Sequence, residues 1–157
     1  MKRSRQPRLA VMVGAALLVS TGVAFAGLSL RQKELVKKED ADLTEKLAQA
    51  NKACETKMTA KVDWDSFKGE IDKWLDGKDK DKINFALCAE PINQVRWLCE
   101  RPEGKSAVQK RIVSFSCKFG GKGKRAIGLK GSNLSLSVDW DVGLYDDYVK
   151  EYLGKTL

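Results

Sequence analysis

The chain opens with Lys2, Arg3, Arg5 and Arg8 and no acid, and then runs without a charge from Leu9 to Leu30. Near the end of that run, Ala24-Phe25-Ala26 sets small residues at the −3 and −1 positions of a cleavage site, before Gly27. Basic head, apolar stretch and small-residue exit form the three-part pattern of a secretory leader. The pattern predicts a signal peptide over residues 1–26, with the basic end held in the cytoplasm. The competing reading is an uncleaved anchor over residues 9–30, because 22 uncharged residues exceed the roughly 20 that span a bilayer. Gly14, Ser20, Thr21 and Gly22 weaken that segment as a helix. Both readings deliver the rest of the chain outside the cytoplasm, to the periplasm, the exterior or the outer side of an inner-membrane anchor. Membrane contact through residues 9–30 belongs to the anchor reading alone.

That compartment changes how Cys54, Cys88, Cys99 and Cys117 are read. An even number of cysteines in an oxidising environment predicts two disulfides, with three pairings open. No Cys-x-x-Cys is present, which disfavours a thioredoxin-like redox role. With no histidine in the chain and cysteine spacings unlike a zinc ribbon, a structural zinc site is disfavoured too.

Removing residues 1–26 from the 157 leaves 131, a length that suits one domain with a core of its own. The chain's net charge of +8 overstates its basicity. Four of the 29 basic residues lie in the leader, leaving 25 against 21 acids. An exported chain with so small an excess is not expected to bind nucleic acid. The excess is local: residues 101–130 carry nine basic side chains against Glu103, and residues 131–157 are acidic.

Periodicity predicts an N-terminal helical segment within residues 27–56 and a globular α+β domain over 57–157. Val36, Leu43, Leu47, Ala50 and Cys54 form one stripe on a helix over 31–54. The stripe is thin before Leu43, so its first turns are expected to project as a stalk. Residues 57–64 alternate as a strand, with Met58, Ala60, Val62 and Trp64 inward. A capped helix follows to Asp76, with Phe67, Ile71, Trp74 and Leu75 on its apolar side. Residues 83–88 and 91–99 read as short helices, and Arg101 to Lys105 as a loop. Residues 111–119, 126–130 and 134–140 read as three strands joined by glycine-rich turns, then a helix near 144–153. Short connections between them imply an antiparallel meander. The expected fold is therefore α+β: a small antiparallel sheet of about four strands with helices on one face. Its core should hold Val62, Trp64, Ile71, Trp74, Leu98, Val113, Phe115, Leu136, Val138 and Trp140.

An internal echo runs through this pattern. Val62-Asp63-Trp64-Asp65 recurs as Val138-Asp139-Trp140-Asp141, each time at the end of an alternating strand. Alternation explains the buried Val and Trp, and capping explains the Asp residues. A second reading brings Asp63, Asp65, Asp139 and Asp141 together as oxygen ligands for a hard cation such as Ca²⁺.

Without histidine, the Ser-His-Asp and Cys-His arrangements are excluded. No Walker loop, GxSxG, SxxK or HExxH occurs, so carboxylate hydrolysis is the enzymatic route left, and no cofactor is expected. The leading expectation is an exported, non-enzymatic binding module. Lys118, Lys122, Lys124, Arg125 and Lys130 would form a basic hairpin facing an anionic envelope component or an acidic protein. Lysines on an edge strand also serve as ordinary protection against edge-to-edge pairing. A secreted inhibitor or effector is the alternative.

Overall fold

A computed structural model describes residues 27–78, 83–140 and 145–157. The leader or anchor over residues 1–26 lies outside the described residues, as do Asp79, Asp81 and Asp141.

The chain is α+β, with five α-helices and a four-stranded sheet among the described residues. Helix α1 (Leu30–Cys54) starts at a capping box, in which Ser29 and Gln32 satisfy each other's free backbone N–H groups. Strand β1 (Thr59–Asp63) runs into a 3₁₀ turn (Trp64–Phe67) and α2 (Lys68–Leu75). A second 3₁₀ turn (Phe85–Ala89) leads into α3 (Glu90–Leu98), with Pro91 in its first turn, and then α4 (Pro102–Arg111). Strands β2 (Ser114–Phe119), β3 (Ala126–Lys130) and β4 (Asn133–Val138) precede α5 (Tyr145–Thr156).

The helices pack on the face formed by Val62, Phe115, Cys117, Leu134, Leu136 and Val138, all buried. Of the expected core, Val62, Trp64, Ile71, Phe115, Leu136 and Val138 are buried, and Trp74, Leu98 and Trp140 are half-buried against it. Val113 is not core: it is 58% exposed, while Ile112 is 2% exposed. The reason is α4, which occupies Pro102–Arg111, where the sequence suggests a loop and the start of a strand. Pro102 sits in the first turn, where a missing N–H costs nothing, so this proline starts a helix rather than ending one. Ile112 and Val113 then lie between helix and sheet, outside the alternation that starts at Ser114.

Nor do the first turns of α1 project as a stalk. Leu35 and Val36 are buried, and the buried Gln32 donates its side-chain amide to Asp72 on α2. A glutamine inside an apolar stripe hides that contact from any hydrophobicity pattern.

The sheet is mixed, not wholly antiparallel. Its order is β1-β2-β4-β3, with β2 parallel to both neighbours and only β3 and β4 antiparallel. The expected three-strand meander therefore becomes a hairpin of β3 and β4 whose second strand inserts beside β2. The link between β2 and β3 steps across the end of β4. Six residues easily cover the roughly 10 Å of two strand spacings, so a short link does not require neighbouring strands. Gly120 makes the step feasible: a Cβ there would lie 2.6 Å from both the Lys124 carbonyl oxygen and Ser137 Oγ.

All four cysteines are bridged, Cys54 to Cys99 and Cys88 to Cys117. The first staples the end of α1 to the end of α3, and the second ties the turn before α3 to the central strand β2. The loops cross in sequence, spanning 45 and 29 residues, and each constrains the unfolded chain by up to about 4 kcal/mol. Two such bridges fit an oxidising compartment. No helix among the described residues is long and apolar enough to cross a membrane.

Candidate polar and basic face

One sheet face carries the core, so alternation sends every second residue to the other face. That face stays open. Thr59, Lys61, Asp63, Lys118, Ala126 and Lys130 are exposed on it, and Ser114, Ser116, Asn133, Ser135 and Ser137 are half-buried between them. The register aligns these residues in rows across the strands. Thr59, Ser114, Asn133 and Lys130 form one row, and Lys61, Ser116, Ser135 and Gly128 the next. Asp63, Lys118, Ser137 and Ala126 form the third. Small side chains keep the middle of the face low, with lysines rising at its margins and at Lys118.

Part of this face is pre-ordered. Ser114 Oγ donates to Asn133 Oδ1 at 2.9 Å, and Asn133 Nδ2 donates to Ser116 Oγ at 2.8 Å. Asn133 thereby links two serines of the neighbouring strand, and Ser135 Oγ donates to the Gly128 carbonyl at 3.1 Å.

The five basic residues singled out by sequence do not share one hairpin tip. Lys118 lies on β2, paired in register with Asp63 on one side and Ser137 on the other. Lys122, Lys124 and Arg125 lie on the link that crosses the end of β4. Lys130 sits at the opposite end of β3, beside the turn into β4, about 16 Å along the strand from Arg125. The link places Lys122 and Lys124 near the Lys118 end of the sheet. Arg125 turns to α5, its guanidinium carbon 4.1 Å from the Tyr148 ring centroid and 5.3 Å from that of Tyr145. Such cation–π contacts favour a planar guanidinium and make Arg125 a fastener of the link.

Asp139 holds the link from below. It is 1% exposed, and its carboxylate accepts the Gly123 backbone N–H. Tyr145 Oη accepts the Asp139 N–H at 2.6 Å and donates to the Asp139 carbonyl at 2.9 Å. Burial raises the Tyr145 phenol above its ordinary value, partly offset by the bond to Asp139 and by Arg125. The end of β4, the cationic link and the start of α5 therefore form one connected assembly.

Asp63 and Asp65 are exposed, whereas Asp139 is buried under the link, and Asp141 lies outside the described residues. Among the described residues no group of three or more acids or cysteines is arranged to hold a metal ion.

The outward-facing residues were legible from alternation, but their assembly into rows was not. Lys61 joins Ser116 and Ser135 only because β1 and β4 flank β2 in parallel, and nothing in the local sequence states that pairing. Searches of known protein families, of curated proteins and of solved structures find no match to this chain.

Proposed function

We propose that this chain is an exported, non-enzymatic binding protein that engages an anionic partner through the open sheet face and the basic link at its end. The observation that carries this reading is the asymmetry of the sheet. One face is buried under helices. The other presents Lys61, Lys118 and Lys130 around a bed of hydroxyl and amide groups, with Asp63 as its acid. Lys122 and Lys124 add exposed positive charge beside it. Clustered cations raise the local concentration of an anionic ligand, and hydroxyl groups supply the short hydrogen bonds that hold phosphate or carboxylate oxygens.

Export to the periplasm or beyond agrees with this reading through the basic and apolar leader pattern and the two disulfides. In that compartment the partner is a polyanionic envelope surface, whose phosphate groups repeat at close spacing. A hydrolase built on paired carboxylates is less well supported. Asp40, whose pKa is raised by burial, spends an oxygen on the Trp64 indole N–H and sits on α1 beside the similarly raised Glu39.

The test is co-sedimentation of the protein with anionic vesicles, zwitterionic vesicles and lipopolysaccharide at low and high salt. Binding should require negative charge and fall steeply as screening shortens from about 10 Å at 0.1 M salt to 3 Å at 1 M. Lys118→Glu with Lys124→Glu should weaken it by about tenfold or more, with no loss of fold, since both residues are exposed. Equal binding to zwitterionic vesicles, or indifference to the double reversal, would overturn the reading.

A further inference from the structure

On the helical side of the molecule, a groove of about 300 Å³ opens where α5 lies beside the C-terminal end of α3. Trp97 and the half-buried Leu98 from α3 line it with apolar surface, over a floor closed by the buried Leu153 of α5. Trp97 is 53% exposed, one of three large hydrophobic residues left so in the described chain, and the other two, Leu30 and Val113, lie elsewhere. A large aromatic surface left half in water beside a concavity is where an apolar ligand gains most from burial.

The rim is charged. Arg101, at the start of α4, and Lys150, on α5, both line the groove and are exposed. Neither has an ion-pair partner among the described residues. Glu100 is the acid of the rim, so the balance there is one positive charge. Gly104 fixes this arrangement. A Cβ at that position would collide with the Leu98 carbonyl oxygen, so only glycine lets the first turn of α4 settle on the end of α3 and hold Arg101 at the rim.

We infer that this groove is a binding site for a small amphipathic monoanion: a carboxylate held by Arg101 and Lys150, on a short apolar body lying against Trp97 and Leu98. Arg101 supplies the planar fork that matches a carboxylate, and Lys150 a mobile point charge. The volume sits at the lower end of small-molecule sites, roughly 300–1,000 Å³, which selects a short apolar body over a long acyl chain. The site is independent of the open sheet face, and its failure would leave the proposed function untouched.

Titration of the full-length chain with octanoate, followed by calorimetry and tryptophan emission, tests the assignment, with octanol as the uncharged arm of equal length. Octanoate should bind and shift the emission of the half-exposed Trp97 to the blue. Octanol should bind about tenfold more weakly or worse, a difference of about 1.4 kcal/mol. Arg101→Ala with Lys150→Ala should weaken octanoate by a similar factor while leaving the melting midpoint in place. Lys150→Glu, on an exposed helix surface, should weaken it without help from the arginine change. Octanol binding as well as octanoate, absence of binding at millimolar octanoate, or unchanged affinity in the charge variants would each overturn the inference.

Discussion

The two Val-Asp-Trp segments give the same short sequence two structural settings. Val62-Asp63-Trp64 ends β1, an edge strand, whereas Val138-Asp139-Trp140 ends β4, which has neighbours on both sides. The valines agree, at 6% and 1% exposed. The tryptophans agree as well. Both rings pack on Phe67, at centroid distances of 5.6 and 5.9 Å, and both indole N–H groups reach a carboxylate at 2.8 Å. The acceptor is Asp40 on α1 for Trp64 and Glu70 on α2 for Trp140. The aspartates differ completely: Asp63 is exposed, while Asp139 is buried and holds the link over its strand. Alternation decides which way a side chain points. Position in the sheet decides what it meets there.

If the shared ring cluster unites the two segments, its hub should disturb both at once. Phe67 is fully buried between Trp64, Phe85, Phe119 and Trp140. Phe67→Ala should cost about 4 kcal/mol through lost transfer energy and the cavity left behind. With fluorine-labelled tryptophan, the resonances of both Trp64 and Trp140 should move. Movement of one alone would separate the segments and reduce the echo to coincidence of sequence.

The aspartates should separate next. Asp139→Ala strips the Gly123 N–H of its buried acceptor and should destabilise by about 2–3 kcal/mol in urea unfolding. Asp63→Ala removes an exposed side chain and should stay within about 0.5 kcal/mol. Equal losses at the two positions would mean that sheet position does not govern the role of the aspartate.

Much of this is legible in the sequence. Period-two alternation places Val62, Phe115, Leu136 and Val138 in the core, and period 3.6 places Val36 and Ile71 there. What failed shares one cause: pairing between distant segments has no local signature. The link at 120–125 is compatible with a hairpin and with a step across a strand, and only the competition for the sheet interior chooses. The long apolar alternation of β4 wins that place from β3, whose Gly128 contributes no side chain and whose Leu129 N–H is covered by Tyr152 Oη from α5. Helix α4 carries no periodic signal because it buries one apolar residue, Val108. The cysteine count was informative in the same limited way. It gave two bridges but no pairing, because pairing is again a matter of which segments meet. The candidate site followed suit, with its residue types visible and its rows set by register.

The smallest expected effect concerns the carboxylate beneath Trp64. Burial is the main influence on Asp40 and raises its pKa, while the indole bond pulls the other way and only partly compensates. A carboxyl whose pKa is higher in the folded state binds more protons there than in the unfolded chain. Its contribution to stability therefore rises as pH falls through the window between the folded value and the ordinary carboxylate value near 3.9, and is lost as pH rises above it. That is the reverse of the usual acid-destabilised carboxylate. Glu39 beside it is raised by burial too, with Lys38 and Lys46 opposing and Asp42 assisting, so the wild-type profile mixes the two. Asp40→Asn isolates one of them: it keeps an oxygen for the Trp64 N–H and removes the partly desolvated charge. The variant should be at least as stable as the wild type at pH 7, and the difference should close as the pH is lowered toward 4. Thermal melting of both proteins across that range measures it. Asp40→Leu provides the contrast, because it removes the charge and the acceptor together and should be destabilised at every pH. A wild type that outlasts Asp40→Asn at neutral pH would show that the ionised carboxylate supports Trp64 more than its burial costs, and that the edge segment relies on charge where the interior one relies on enclosure.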